Sequence, residues 1–134
     1  MTDLSVPRGV RNNNPGNIRK GTAPWLGLAP DQPDPNFCSF ISPEYGIRAI
    51  AKIMQTYKSR GVATIREAIS RWAPTTENDT AAYVAAVCAN CSVGADERVD
   101  LDEVMPELVK AIIQHENGEQ PYPDDIINAG VALS

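Results

Sequence analysis

"VKAIIQHENG", residues 109–118, is the stretch that decides how this chain is read. With the residues before it, it predicts a helix over roughly 102–117. Met105, Leu108, Val109, Ile112 and Ile113 form its apolar stripe, Pro106 sits near the first turn, and Asn117-Gly118 makes the stop. Continued one turn beyond Ile112, the stripe lands on Glu116, so a carboxylate lies over the core-facing side of the helix. In the last turn, the negative end of the helix dipole and partial desolvation both work against the ionised carboxylate, as a general acid requires. The plainer reading is that Glu116 frays into solvent or pairs with an arginine such as Arg48 or Arg71. His115 points about 100° away around the helix and reads as exposed or supporting.

Three further helices follow from spacing. Ser42, Pro43 and Glu44 form a start signal, after which Ile47, Ile50, Met54 and Tyr57 recur at helical intervals until Gly61; this helix is expected to be central. A short helix runs from near Thr64 through Ile65, Ala68, Ile69 and Trp72 to Pro74. "TTENDTAAYVAAVCANCSVG", residues 75–94, offers Asn78 or Asp79 as the cap of an Ala-rich helix closing at Gly94. Glu44, at a helix N-terminus, is stabilised as an anion, and would complement Glu116 if the two share a cleft. Glu77 reads as part of a capping loop.

Residues 1–41 hold most of the prolines and glycines, and "APDQPDPNF", residues 29–37, cannot sustain a regular element. Loops are expected there, with short strands near 17–19 and 37–41. The fold class is therefore mainly α, of an α+β kind. One domain spans 1–134: a loop and short-strand lobe over 1–41, a helical lobe over 42–118 and a C-terminal tail over 119–134.

Composition narrows the function. Twelve basic and 17 acidic residues give a net charge of -5, which argues against a binder of nucleic acid that works by neutralising phosphates. Arg8, Arg11, Arg19 and Lys20 nevertheless cluster early, as would suit an anionic polymer or a solvated loop. No apolar run approaches the roughly 18 residues of a membrane span, and "MTDLSVPRG" lacks the marks of a secretory signal, so no membrane insertion is expected. Three cysteines do not form a secreted disulfide framework. Cys88 and Cys91 have the spacing of half a zinc site, which Cys38 and His115 would have to complete, but on an Ala-rich helix they read as small buried hydrophobes; no metal and no cofactor are expected. A Cys38–His115 nucleophilic pair is a weak alternative. Phosphate loops, serine elbows and His-Glu-x-x-His signatures are absent from the sequence.

Taken together, "RGVRNNNPGNIR" (8–19), Trp25 and Gly27, "FCSFISPEYGIRAI" (37–50), "RWAPTTENDTAAY" (71–83) and "AIIQHENGEQPY" (111–122) resemble small phage and prophage proteins described as virion structural proteins or endolysins, over nearly the whole chain. More distantly, the motif order is similar to that of lysozyme-like peptidoglycan glycosidases, the glucosaminidases in particular. Their "NN-x-x-GI" loop is matched by Asn13 to Ile18, their "F-x-x-Y/F-x-S" segment by Phe37 to Ser42, and their aromatic-Ala segment and later tyrosine by Trp72-Ala73 and Tyr83. In that superfamily the catalytic glutamate ends a helix before the Asn-Gly loop. Here only Met1 to Val10 precede it, with no glutamate and no room for a helix, whereas a helix ending in glutamate stands at the other terminus. The order suggests a circularly permuted lysozyme-like domain with Glu116 as general acid, a rearrangement that close-lying termini tolerate.

The resemblance implies cleavage of the glycan strand between N-acetylmuramic acid and N-acetylglucosamine, by a muramidase or a lytic transglycosylase. Glu44, or the substrate's own acetamido group, would stabilise the oxocarbenium-like centre. Asn14, Asn17 and Arg19 would donate hydrogen bonds to acetamido and lactyl groups, Asn78 would join the binding set, and Trp25, Trp72 and Tyr83 would offer faces to sugar rings. The implied partner is bacterial peptidoglycan, met by a monomer from the cytoplasm of an infected host or from within a virion. The rival expectations are a non-catalytic virion component of lysozyme-like shape that binds cell wall, and an amidase or peptidase acting on the stem peptides.

Overall fold

A computed structural model describes residues 5–134. Its framework is the helix α2 (Pro43–Ser59), started by extended Ser42 and by Pro43 in the first turn. Ile47, Ile50 and Met54 of its apolar face are fully buried. The helix α3 (Ile65–Trp72) follows; Thr64 caps it by accepting from the Glu67 amide. The helix α4 (Thr80–Cys91) is capped by Asp79, which accepts from the Ala82 amide, and ends in left-handed Ser92 before Gly94 is reached. The helix α5 (Met105–Asn117) starts three residues later than expected, because 101–104 form a turn, and stops at left-handed Gly118.

Two elements depart from the sequence expectation. Residues 8–11 form a single helical turn, α1 (Arg8–Arg11), inside the segment expected to have no room for one; Met1 to Leu4 lie outside the described residues. Residues 119–134 are not a tail: they contain the helix α6 (Asp124–Ala132), which packs along α2 and buries Ile127 completely. Gly130 makes this possible, since a Cβ there would stand 2.5 Å from Ile47 Cγ2. A core of about this kind, with each buried Ile or Leu contributing some 1.5–3 kcal/mol, is what holds α2 to α6 and α5 to α4.

The expected short strands reduce to two isolated antiparallel bridges, Arg19 with Phe37 and Leu28 with Phe40. Prolines at 30, 33 and 35 interrupt any ladder, and side chains take over its hydrogen bonds. Asn14 donates to the Ile18 and Cys38 carbonyls and accepts from the Ile18 amide. Gln32 donates to the Ala29 and Ser39 carbonyls and accepts from the Ser39 amide. A second small core of Cys38, Phe40 and Ala49, flanked by Ile18, Trp25 and Tyr45, fastens this lobe to α2. The observed class is thus mainly helical, with almost no strand.

Candidate functional site

The last turn of α5 meets the Asn-Gly loop. Asn117 donates through Nδ2 to the Pro15 carbonyl at 2.8 Å and to Ile113 at 2.9 Å. Its neighbour Glu116 accepts from Asn17 Nδ2 at 3.2 Å on Oε1 and from the Tyr83 hydroxyl at 2.9 Å on Oε2. The Tyr83 oxygen in turn accepts from Trp72 Nε1 at 3.0 Å. Four segments, the loop, α3, α4 and α5, therefore converge on one carboxylate, which neither frays nor pairs with Arg48 or Arg71 among the described residues.

Gly9 permits that convergence. A Cβ at this position would fall 2.6 Å from Asn117 Oδ1 and 2.7 Å from Asn17 Oδ1. Both of these oxygens are buried without a conventional donor. The Cα–H groups of Gly9 are what they face, a weak interaction that also explains why no larger residue stands there.

Glu116 lies on the wall of a cleft of about 400 Å³. Asn17, Arg19 and Phe37 line it from the loop lobe, Ile53 and Tyr57 from α2, Trp72 from α3, and Glu77 and Asn78 from the loop before α4. Of the residues expected to serve one site, Glu116, Asn17, Arg19, Trp72 and Asn78 are thus brought together. Ile53, Tyr57 and Phe37 are additional lining; Tyr57 was readable only as part of the α2 stripe.

The other expected residues are placed differently. Asn14 is fully buried and both ends of its amide are engaged with backbone, so it shapes the loop and has no donor for a ligand. Tyr83 is fully buried as well. Its ring stacks on His115, with centroids 3.8 Å apart, and it presents no face to a sugar; its hydroxyl holds Glu116 instead. Burial and the adjacent Glu116 carboxylate push the Tyr83 phenol far above its ordinary range, so it acts as a donor that keeps its proton. Trp25 belongs to the small core of the loop lobe and borders a separate depression with Arg48 and Lys52. Glu44 is in the first turn of α2, with its carbonyl against Gly130 of α6, and does not line the cleft. The second carboxylate on the cleft is Glu77. Because Asp79 caps α4, Glu77 is not needed as a cap, and it is exposed on the cleft side of the loop.

The cysteines stand apart from this site. Cys38 is buried in the loop lobe, and Cys88 and Cys91 sit on α4. Burial raises the Cys38 thiol and pushes Cys91 up to about 11, opposite to the direction that activates a nucleophile. Among the described residues, no group of three or more His, Cys, Asp or Glu side chains could hold a metal ion, and no helix is long and apolar enough to cross a membrane.

No protein-family model matches the chain. It is 41% identical over 127 residues to Protein P5 of Pseudoalteromonas phage PM2, an alignment that covers 92% of this chain and 79% of the phage protein. With that identity and coverage, the chain belongs to the family of the phage protein P5.

Proposed function

We propose that this protein cleaves the glycan strand of bacterial peptidoglycan, between N-acetylmuramic acid and N-acetylglucosamine, with Glu116 as the general acid. The observation that carries the reading is the placement of Glu116: a helix-ending carboxylate on a cleft wall, held at both oxygens by donors from the loop and from α4. In the reaction, Glu116 takes up a proton from solvent and, as the acid, gives it to the glycosidic oxygen as the C–O bond breaks. The Tyr83 hydroxyl and the Asn17 amide then stabilise the carboxylate left behind, an interaction stronger with the anion than with the acid. Glu77 takes the part first assigned to Glu44, as the second carboxylate of the cleft. Attack by water completes hydrolysis; attack by the sugar's own 6-hydroxyl completes transglycosylation. Trp72 and Tyr57 supply aromatic surface for sugar rings, and Asn78 a polar edge.

The meeting of the α5 end with the loop that follows α1 supports a permuted lysozyme-like arrangement, because it brings a glutamate-ending helix against the Asn-Gly loop. The phage relative fits a phage origin; on this reading the enzyme serves release from the host or penetration into it, acting as a monomer from the host cytoplasm or from the virion. The test is incubation with purified peptidoglycan: new reducing ends or anhydro sugars support the reading, whereas freed amines would identify an amidase or peptidase.

One observation favours a second reading. Both oxygens of Glu116 already accept hydrogen bonds, as they would if the carboxylate only tied the loop to the helices of a non-catalytic virion component. Peptidoglycan binding without release of any fragment would decide for that reading.

A further inference from the structure

Two arginines approach the Phe37 ring, and they differ in what else they touch. The Arg8 guanidinium carbon stands 4.5 Å from the ring centroid. Its fork is engaged by Asp34, with Nε and Nη2 each 2.6 Å from a carboxylate oxygen. Asn12 and the amides of Asn36 and Phe37 complete the set around Asp34, so Arg8 is built into the loop. The Arg19 guanidinium carbon stands 5.3 Å from the same centroid. Arg19, however, has no ion-pair partner among the described residues, although Glu116 and Glu77 line the cleft with it. Its backbone is fixed by the bridge to Phe37 and by the hydrogen bonds of Lys20 with Asn36 and Cys38 with Ile18.

An arginine held against an aromatic ring, on a cleft wall and without a protein acceptor, presents a planar fork of donors shaped for a carboxylate. In a chain of net charge -5, an exposed guanidinium that lines the cleft and takes no carboxylate of the protein among the described residues stays open to an incoming anion. We infer that Arg19 is a recognition point for a carboxylate borne on the ligand, so that the cleft selects an acidic glycan over a neutral one. This deepens the proposed function and rests on it for the word glycan, since the geometry by itself supplies only the carboxylate. On a peptidoglycan strand the carboxylate belongs either to the lactyl group or to the stem peptide.

The experiment measures binding by the full chain carrying Glu116→Gln, which removes turnover. The probes are amidase-stripped glycan strands, which expose lactyl carboxylates, peptide-bearing strands, and both after conversion of their carboxylates to neutral methylamides. Conversion is expected to weaken binding about tenfold or more, the usual worth of a charge-assisted bidentate pair. Adding Arg19→Gln is expected to cost the same factor on charged strands and to remove the response to amidation, with Arg19→Lys between the two. A response confined to peptide-bearing strands assigns the carboxylate to the stem; a response on stripped strands assigns it to the lactyl group, and either supports the inference. An equal response to amidation with and without Arg19 overturns it, as does failure to bind any strand. Wild-type cleavage is measured on the same strands. Discrimination without cleavage leaves the Arg19 inference standing and overturns the catalytic one; cleavage indifferent to both amidation and Arg19→Gln does the reverse.

Discussion

Replacing Tyr83 by Phe isolates the link that holds Glu116. The substitution keeps the ring on His115 and within the core, and deletes one hydroxyl that accepts from Trp72 and donates to Glu116 Oε2. A hydrogen bond to a charged group contributes about 1.5–3 kcal/mol, and one to a neutral amide about 0.5–1.5 kcal/mol. Trp72 Nε1 also loses its acceptor, but Trp72 is only partly buried and lines the cleft, where water can replace that acceptor. Tyr83→Phe should therefore destabilise the protein by about 1.5–3 kcal/mol at neutral pH. In a Glu116→Gln background the same change meets a neutral partner, and its cost should fall by about 1 kcal/mol. Urea denaturation of the four proteins measures both costs, since a domain of this size is expected to unfold in one step. An equal cost in the two backgrounds, within about 0.3 kcal/mol, would refute the idea that Tyr83 acts on a charged Glu116.

Other consequences follow from close approach and from charge. Gly9→Ala puts a methyl group against Asn17 Oδ1 and Asn117 Oδ1, and should cost about 1–3 kcal/mol in denaturation while also lowering any activity, because Asn17 must move. Gly130→Ala should cost a similar amount by prising α6 from Ile47, whereas Gly21→Ala, with open space around it, should fall within about 0.5 kcal/mol of the parent. Asp34 has its carboxyl held well below the usual carboxylate range by Arg8, helped by the Asn36 and Phe37 amides and by Asn12. A depressed carboxylate contributes stability that is complete above the unfolded value of about 4 and declines as pH falls below it. Acid titration of stability should accordingly be shallower below about pH 4 in Asp34→Asn, and an unchanged acid limb would count against the Arg8–Asp34 pair as a fixed part of the loop.

The helices α2 to α5 were legible because each carries a regular apolar stripe with a start or stop residue beside it. The helix α6 was not, because Gly130 contributes its contact by the absence of a side chain, and a stripe made partly of glycine leaves no periodic signal. In the loop lobe, Pro30, Pro33 and Pro35 told against regular structure, yet nothing in the sequence showed that Asn14, Gln32 and Asp34 would replace strand hydrogen bonds. At the candidate site, the position of Glu116 over the inner side of α5 was legible because helical geometry fixes the residue that continues a stripe. That Glu77 lines the cleft and Glu44 does not was illegible for the opposite reason: which loop faces a helix end is a tertiary fact, and membership of the loop that caps α4 through Asp79 left Glu77 no separate signal. Tyr83 looked like a surface for sugar because an aromatic residue has the same letter whether it meets a ligand or the core.

The central claim is that Glu116 delivers the proton in glycan cleavage, and Glu116→Gln tests it most directly. The side chain keeps its shape and one acceptor oxygen, so it retains one of the two hydrogen bonds received from Tyr83 and Asn17, but it has no acidic proton to give. With the midpoint of thermal unfolding measured alongside to show that the fold persists, release of reducing ends or anhydro sugars from purified peptidoglycan should fall by at least about a hundredfold. Release at the parental rate from a folded Glu116→Gln protein would contradict the claim.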